Sequence, residues 1–218
     1  DAAMRAAFSL LRRLGKEMAE HYLRLGQKEL KARRIQAPWP MIWLEGTLLS
    51  DYLHDLEIVQ DYAAWNRLAI LETLCSYMKW KPTDVFSCPH NYVARQEDGY
   101  LLRKGAVSAE KGERLLIPAN MRDGILLAEG KGNPEWNCSA PHGSGRIMKR
   151  EDVAKRFTLS RFRSEMKGIY CTCVSRDTLD EAPFAYRDIR SISALIQDTA
   201  EIRKLLTPVY NYKAGSRS

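Results

Sequence analysis

An abrupt change of texture near Lys81 constrains this 218-residue chain more than any other feature. Two long helical tracts precede it. Residues 2–35 are rich in Ala, Leu, Met, Lys, Arg and Glu, all good helix formers. Leu11, Leu14, Met18, Tyr22 and Leu25 form an apolar stripe at three-to-four spacing, which Gly15 and Gly26 interrupt. Ala37-Pro-Trp-Pro40 is a stop, because a residue before proline is pushed to extended backbone. A second helix is predicted over residues 51–77, with Ser50 as N-cap and Asp51 at the positive end of the dipole. From Lys81 onward short apolar runs are broken by Pro, Gly and Asp. Residues 86–93, 100–103, 115–117 and 125–129 read as strands, and 117–124 as a turn-rich loop. Helical patterns return at 151–157 and 187–206, with Pro208 as the stop. The order predicts an α+β fold: N-terminal long helices, a strand-rich layered part and a C-terminal helix.

Hydrophobic content of 45% and charged content of 28% are those of an ordinary globular protein. No apolar run reaches membrane-span length and no signal peptide is recognisable. The helical pattern starts at once at Asp1, which predicts the interior of a longer protein. Five scattered cysteines are unlike a secreted disulfide framework, so reduced thiols and a cytoplasmic location are expected. The net charge of +7 is uneven. Residues 1–36 carry nine Lys/Arg against four acids, residues 146–167 eight against three, and residues 39–79 two against six. The basic strip at 146–167 suits a polyanion, nucleic acid above all, or a solvated helix face.

That strip begins at a distinctive segment, Ser139-Ala-Pro-His142-Gly143-Ser144-Gly145-Arg146. Gly143 and Gly145 allow positive φ and close backbone approach to a ligand. Successive N–H groups in such a turn can make an anion site. A neutral imidazole there can attack phosphorus, although a histidine between Pro and Gly also serves simply as a turn residue. His21 and His54 sit among charged neighbours on the long helices and read as surface or packing residues.

Several further segments accompany it. They are HNYV at 90–93, RKGAVSA at 103–109, IPANMRDG at 117–124, EGKGN at 129–133, SAPHGSGRIMKR at 139–150, EAPFAYRDI at 181–189 and PVYNYKAG at 208–215. Their content and order resemble the C-terminal half of the RtcB-type RNA-splicing ligases. The resemblance implies one partial domain over residues 1–218, helical in 1–80 and nucleotide-binding in 81–218. It implies an enzyme that joins an RNA 3′-phosphate or 2′,3′-cyclic phosphate to a 5′-hydroxyl, using GTP and Mn2+, with RNA as partner. His142 falls on the histidine that becomes guanylylated. His90 falls on a metal ligand and Asn91 on a nucleotide contact. Pro118, Ala119, Asn120 and Met121, the turn Gly143, Ser144 and Gly145, and Lys213 match the GMP pocket. Tyr186 packs on the base or in the core. Arg103, Lys104, Arg146 and Arg150 hold RNA phosphates or are surface cations.

The chain also departs from that pattern. His90 is the one family metal ligand present. Arg12-Arg13-Leu14-Gly15-Lys16 sets a register in which Phe8 replaces a ligand histidine, and Ile125 stands where the family places a serine. Residues 1–218 alone are therefore expected to be inactive. A non-catalytic RNA-binding relic, or one half of a split ligase whose other half supplies metal ligands, remain as alternatives.

Overall fold

The computed structural model describes the backbone of residues 2–211 and the side chains of residues 13–211. It divides into two compact units, Asp1–Ser87 and Cys88–Ser218. In the first, α1 (Ala2–Ala32) and α2 (Gly46–Met78) pack on each other. The apolar face of α1 buries Tyr22 and Leu30. The Tyr22 hydroxyl donates to Asp55 at 2.7 Å, and its ring meets Tyr52 edge-on at 5.3 Å. Gly26 is tolerated inside α1 because the chain passes close: a Cβ there would lie 2.7 Å from Leu44 Cδ2 and 2.9 Å from Ile42 Cγ2. The start of α2 corrects the sequence expectation. Ser50 is not the N-cap; it lies within the helix, and its Oγ donates to the Gly46 carbonyl at 3.3 Å. Among the described residues no helix is long and apolar enough to cross a membrane.

The second unit runs β1 (Asn91–Gln96), β2 (Gly99–Lys104), β3 (Ala106–Ser108), β4 (Arg114–Asn120), β5 (Gly124–Gly130) and β6 (Ser139–Pro141). Then come α3 (Arg150–Arg156), α4 (Leu159–Glu165), β7 (Tyr170–Cys171), α5 (Ile189–Leu195), β8 (Ala200–Leu206) and β9 (Tyr210–Asn211). β4, β5 and β8 form an antiparallel sheet with β5 in the centre, where buried and half-buried residues alternate. β1 pairs with β2 and β3 with β6, both antiparallel, while β7 and β9 are parallel. Helices and mainly antiparallel strands make the α+β fold that the sequence predicts.

Four local expectations are corrected. The first strand starts at Asn91 rather than at residue 86. β4 runs through Pro118 to Asn120, where a loop was expected. Proline fits there because β4 is an edge strand whose register shifts between Pro118 and Asn120. α4 was not foreseen; Thr158 caps it by accepting from the Arg161 N–H at 3.3 Å. The predicted helix over 187–206 is two elements. Asp188 caps α5 by accepting from the N–H groups of Arg190 and Ser191, each at 3.0 Å, and the chain then turns into β8. The side of β5 opposite β4 supplies ladder bonds to β8, and Arg203 pairs with Glu129 on β5 at 3.2 Å.

Two cores hold this unit. Val107, Leu115, Ile117, Leu126, Ile192 and Ile196 anchor one; Val153, Phe162, Met166, Leu179 and Met121 anchor the other. Full burial of such side chains contributes ~1.5–3 kcal/mol each. The segment after β6 leaves the first core at Ala140 and reaches the second at Met148, carrying His142 between them.

Candidate active site

The β3–β6 pairing assembles the site. Its register sets Ala106 opposite Pro141, so Gly105 and His142, each one residue beyond the ladder, become neighbours. The Gly105 carbonyl lies 3.3 Å from the His142 backbone nitrogen and 2.6 Å from its Nδ1. A carbonyl only accepts, so Nδ1 carries the proton and Nε2 of the neutral ring keeps its lone pair. The imidazole is exposed to solvent.

His90 completes the arrangement. Its carbonyl accepts from the N–H groups of Gly105 at 2.7 Å and Ala106 at 3.3 Å, while Asn91 Oδ1 also accepts from Gly105 N at 2.8 Å. The His90 ring stacks on His142 with centroids 4.7 Å apart and planes 6° from parallel. Gly105 stands at φ 71°, and a Cβ there would approach His142 Cε1 to 3.3 Å and Nδ1 to 3.4 Å. The positive φ favours glycine at the base of the imidazole, and a side chain there would crowd the ring.

The following turn is pinned to the β4 edge. Ser144 is buried; its N–H donates to the Pro118 carbonyl at 3.1 Å and its Oγ to the Ala119 carbonyl at 2.7 Å. A Cβ on Gly143 would approach Pro118 O to 3.2 Å, and Gly145 adopts φ 69°. Pro118 and Ala119 thus stand beside the turn. Asn120 is occupied locally: its Oδ1 accepts from the N–H groups of Arg122 and Asp123, and its Nδ2 donates to Asp123 at 2.8 Å. Met121 is core. Lys213 lies outside the described residues, as does the side chain of Phe8. Ile125 is half-buried, facing Pro118 on one side and Leu206 on the other.

The four cations expected at RNA phosphates divide sharply. Arg103 is only 4% exposed. It donates to Ser139 Oγ and Tyr92 Oη, each at 2.9 Å, and to the carbonyls of Asn137 and Cys138. It braces the hairpin below the site and is no surface cation. Arg146 donates to Tyr186 Oη at 2.9 Å and lies 4.9 Å above that ring, with Glu181 at 3.6 Å. Arg150 pairs with Asp180 and, at 2.5 Å, with Glu181. Lys104 is exposed. Tyr186 donates to Glu181 at 2.5 Å, and burial together with that carboxylate pushes its pKa up to about 12. Gly105, Asp180 and Glu181 were not singled out from sequence as site residues. A carbonyl role leaves no side-chain signature, although Gly105 falls within a recognised segment.

Among the described residues no three His, Cys, Asp or Glu side chains gather closely enough to hold a metal. The donors at this site are two imidazoles, which do not by themselves make a manganese site.

Fold and site define a protein that stacks the imidazoles of His90 and His142 on a glycine-bearing turn pinned to the edge of β4. A sequence model of the family described as tRNA-splicing ligase RtcB matches residues 9–214. RNA-splicing ligase RtcB1 of Escherichia coli ATCC 25922 is 31% identical over 209 residues, covering 88% of this chain and 51% of that protein. RNA-splicing ligase RtcB of E. coli K12 is 30% identical over the same coverage. The tRNA-splicing ligase RtcB of Pyrococcus abyssi is 26% identical over 235 residues, 89% of this chain and 25% of its own length. This chain belongs to the RtcB family of RNA-splicing ligases. It spans about half the length of the E. coli relatives it matches.

Proposed function

We propose that this chain is the guanylate-accepting part of a GTP- and Mn2+-dependent ligase that joins RNA 3′-phosphate or 2′,3′-cyclic phosphate ends to 5′-hydroxyl ends. The observation that carries this reading is the Gly105 carbonyl on His142 Nδ1, which in the neutral ring leaves Nε2 as the atom with a lone pair on an exposed residue. Nε2 attacks the α-phosphorus of GTP and pyrophosphate leaves. The phosphoramidate ring then bears positive charge, which the Gly105 carbonyl at Nδ1 stabilises. GMP passes to the RNA 3′-phosphate, and the 5′-hydroxyl displaces it. His90 stacks on the nucleophile, and the bonds of Ser144 to β4 fix the turn. Asn91, Pro118, Ala119, Gly143, Gly145 and Lys213 are assigned to the nucleotide's surroundings.

In this reading His90 is the single manganese ligand that the described residues offer, and the rest of the sphere comes from residues elsewhere, in the same polypeptide or a second one. Residues 1–218 alone do not ligate RNA. The five free thiols suit a reducing, cytoplasmic setting. The test is GTP radiolabelled at the α-phosphate, incubated with Mn2+ and the complete polypeptide expressed from its own gene. An acid-labile label that disappears in His142→Ala is expected; labelling that persists in that variant overturns the assignment. The donor shortage also favours a second reading, an RNA-binding relic without nucleotide transfer. That reading predicts salt-sensitive RNA retention and no label at all.

A further inference from the structure

The sequence Cys171-Thr-Cys173 leaves β7 with its two thiols on one side and Thr172 on the other, where the threonine hydroxyl meets Tyr210 Oη at 3.3 Å. The chain bends at Thr172 just beyond β7, and this bend brings together the side chains on either side of it. Their Sγ atoms stand 3.1 Å apart. A disulfide needs ~2.0 Å, and a small torsional movement closes that gap. Cys171 is half-buried and open to a reagent; Cys173 is buried behind it, 3.8 Å from the Asn211 carbonyl on β9. We propose that Cys171 and Cys173 form a reversible dithiol site that a low-molecular-weight disulfide such as oxidised glutathione converts to an intrachain disulfide.

The exchange balances. The Cys171 thiolate attacks one sulfur of glutathione disulfide, forming a mixed disulfide and releasing one glutathione thiolate. The Cys173 thiolate then attacks Cys171 Sγ and expels the second glutathione. Two electrons pass from the protein sulfurs to the reagent, and the two protons lost from the thiols end on the two released glutathiones. A ring closed across a single intervening residue is small, and strained disulfides are the readily reduced ones, so the bond is a reversible modification rather than a structural staple. Closure removes the Cys173 S–H, which takes a donor from the Asn211 carbonyl. The other three cysteines serve as internal references. Burial pushes the Cys88 thiol up, and burial with the Glu110 carboxylate does the same at Cys138. This site stands independently of the guanylation chemistry.

The experiment treats the whole chain with glutathione disulfide, quenches it by alkylation and maps it by peptide mass spectrometry. Free thiols are expected to fall from five to three, with a Cys171–Cys173 link that a reductant reverses. Cys173→Ser should retain glutathione on Cys171, whereas Cys171→Ser, whose remaining thiol is buried, should stay unmodified at Cys173. Wild-type protein that holds glutathione at Cys171 without closing, links either residue to another cysteine, or leaves both thiols unreacted overturns the proposal, and none of these readings depends on a variant folding.

Discussion

The carbonyl of Gly105 serves His142 twice, receiving its backbone N–H at 3.3 Å and its ring Nδ1 at 2.6 Å. One peptide group thereby sets both the position and the tautomer of the imidazole. Gly105→Ala places a methyl against the ring, at 3.3 Å from Cε1, in backbone of φ 71°. The left-handed conformation costs a non-glycine residue ~1–2 kcal/mol, which a urea denaturation curve will show. If His142 takes up guanylate as proposed, the displaced ring lowers that labelling by up to ~100-fold, the scale of a misplaced reacting group. Undiminished labelling in the variant would show that this carbonyl does not orient the nucleophile.

Ser144→Ala addresses the other side of the turn. Its hydroxyl is the donor to the Ala119 carbonyl at 2.7 Å, and both residues are buried. Without it that carbonyl loses a partner that water cannot easily replace, at a cost of ~1–3 kcal/mol. The Ser144 N–H still holds the Pro118 carbonyl, so the fold survives with a lower denaturation midpoint. An unchanged midpoint would mean that solvent reaches Ala119 after all.

The long helices were legible because each follows from composition summed over many residues, as in Ala2–Ala32. The His142 turn was legible from its glycines. The nearness of His142 to His90 followed from the family resemblance and not from the residues themselves, since it depends on three-residue strands, Ala106–Ser108 and Ser139–Pro141, too short to show a period. β8 was read as helix because Glu201, Arg203, Lys204, Leu205 and Leu206 are helix formers, and only Ala200 of that strand is buried. No alternation betrayed it; the ladder with β5 decided the matter. Arg103 illustrates the same limit for charge. Its neighbour Lys104 carries the same sign, yet strand alternation buries one and exposes the other.

That alternation separates two variants. Arg103→Ala strips donors from Ser139, Tyr92 and two carbonyls at once, and ~2–4 kcal/mol of stability should be lost in urea denaturation. Lys104→Ala should leave stability within ~0.5 kcal/mol of wild type. If Lys104 meets an RNA phosphate, its removal lowers the slope of log affinity against log salt by ~1. Equal losses of stability in the two variants would contradict the burial difference.

Tyr186 gives the alkaline limb a defined sign. Burial, then the Glu181 carboxylate that accepts its proton, raise its pKa from an ordinary 10 to about 12 in the folded chain. The folded state therefore retains a proton that the unfolded state gives up first. The resulting stability is fully present below pH 10 and is lost as pH rises toward about 12. Tyr22, held up to about 12 chiefly by its bond to Asp55, adds a contribution of the same sign in the helical unit. Urea midpoints measured across this window should fall for wild type and fall less steeply for Tyr186→Phe, which cannot ionise. Spectrophotometric titration of tyrosinate in the folded protein should show one fewer late-ionising phenol in that variant. Equal slopes for the two proteins, with Tyr186 titrating near 10, would mean that Glu181 and the surrounding burial do not hold its proton.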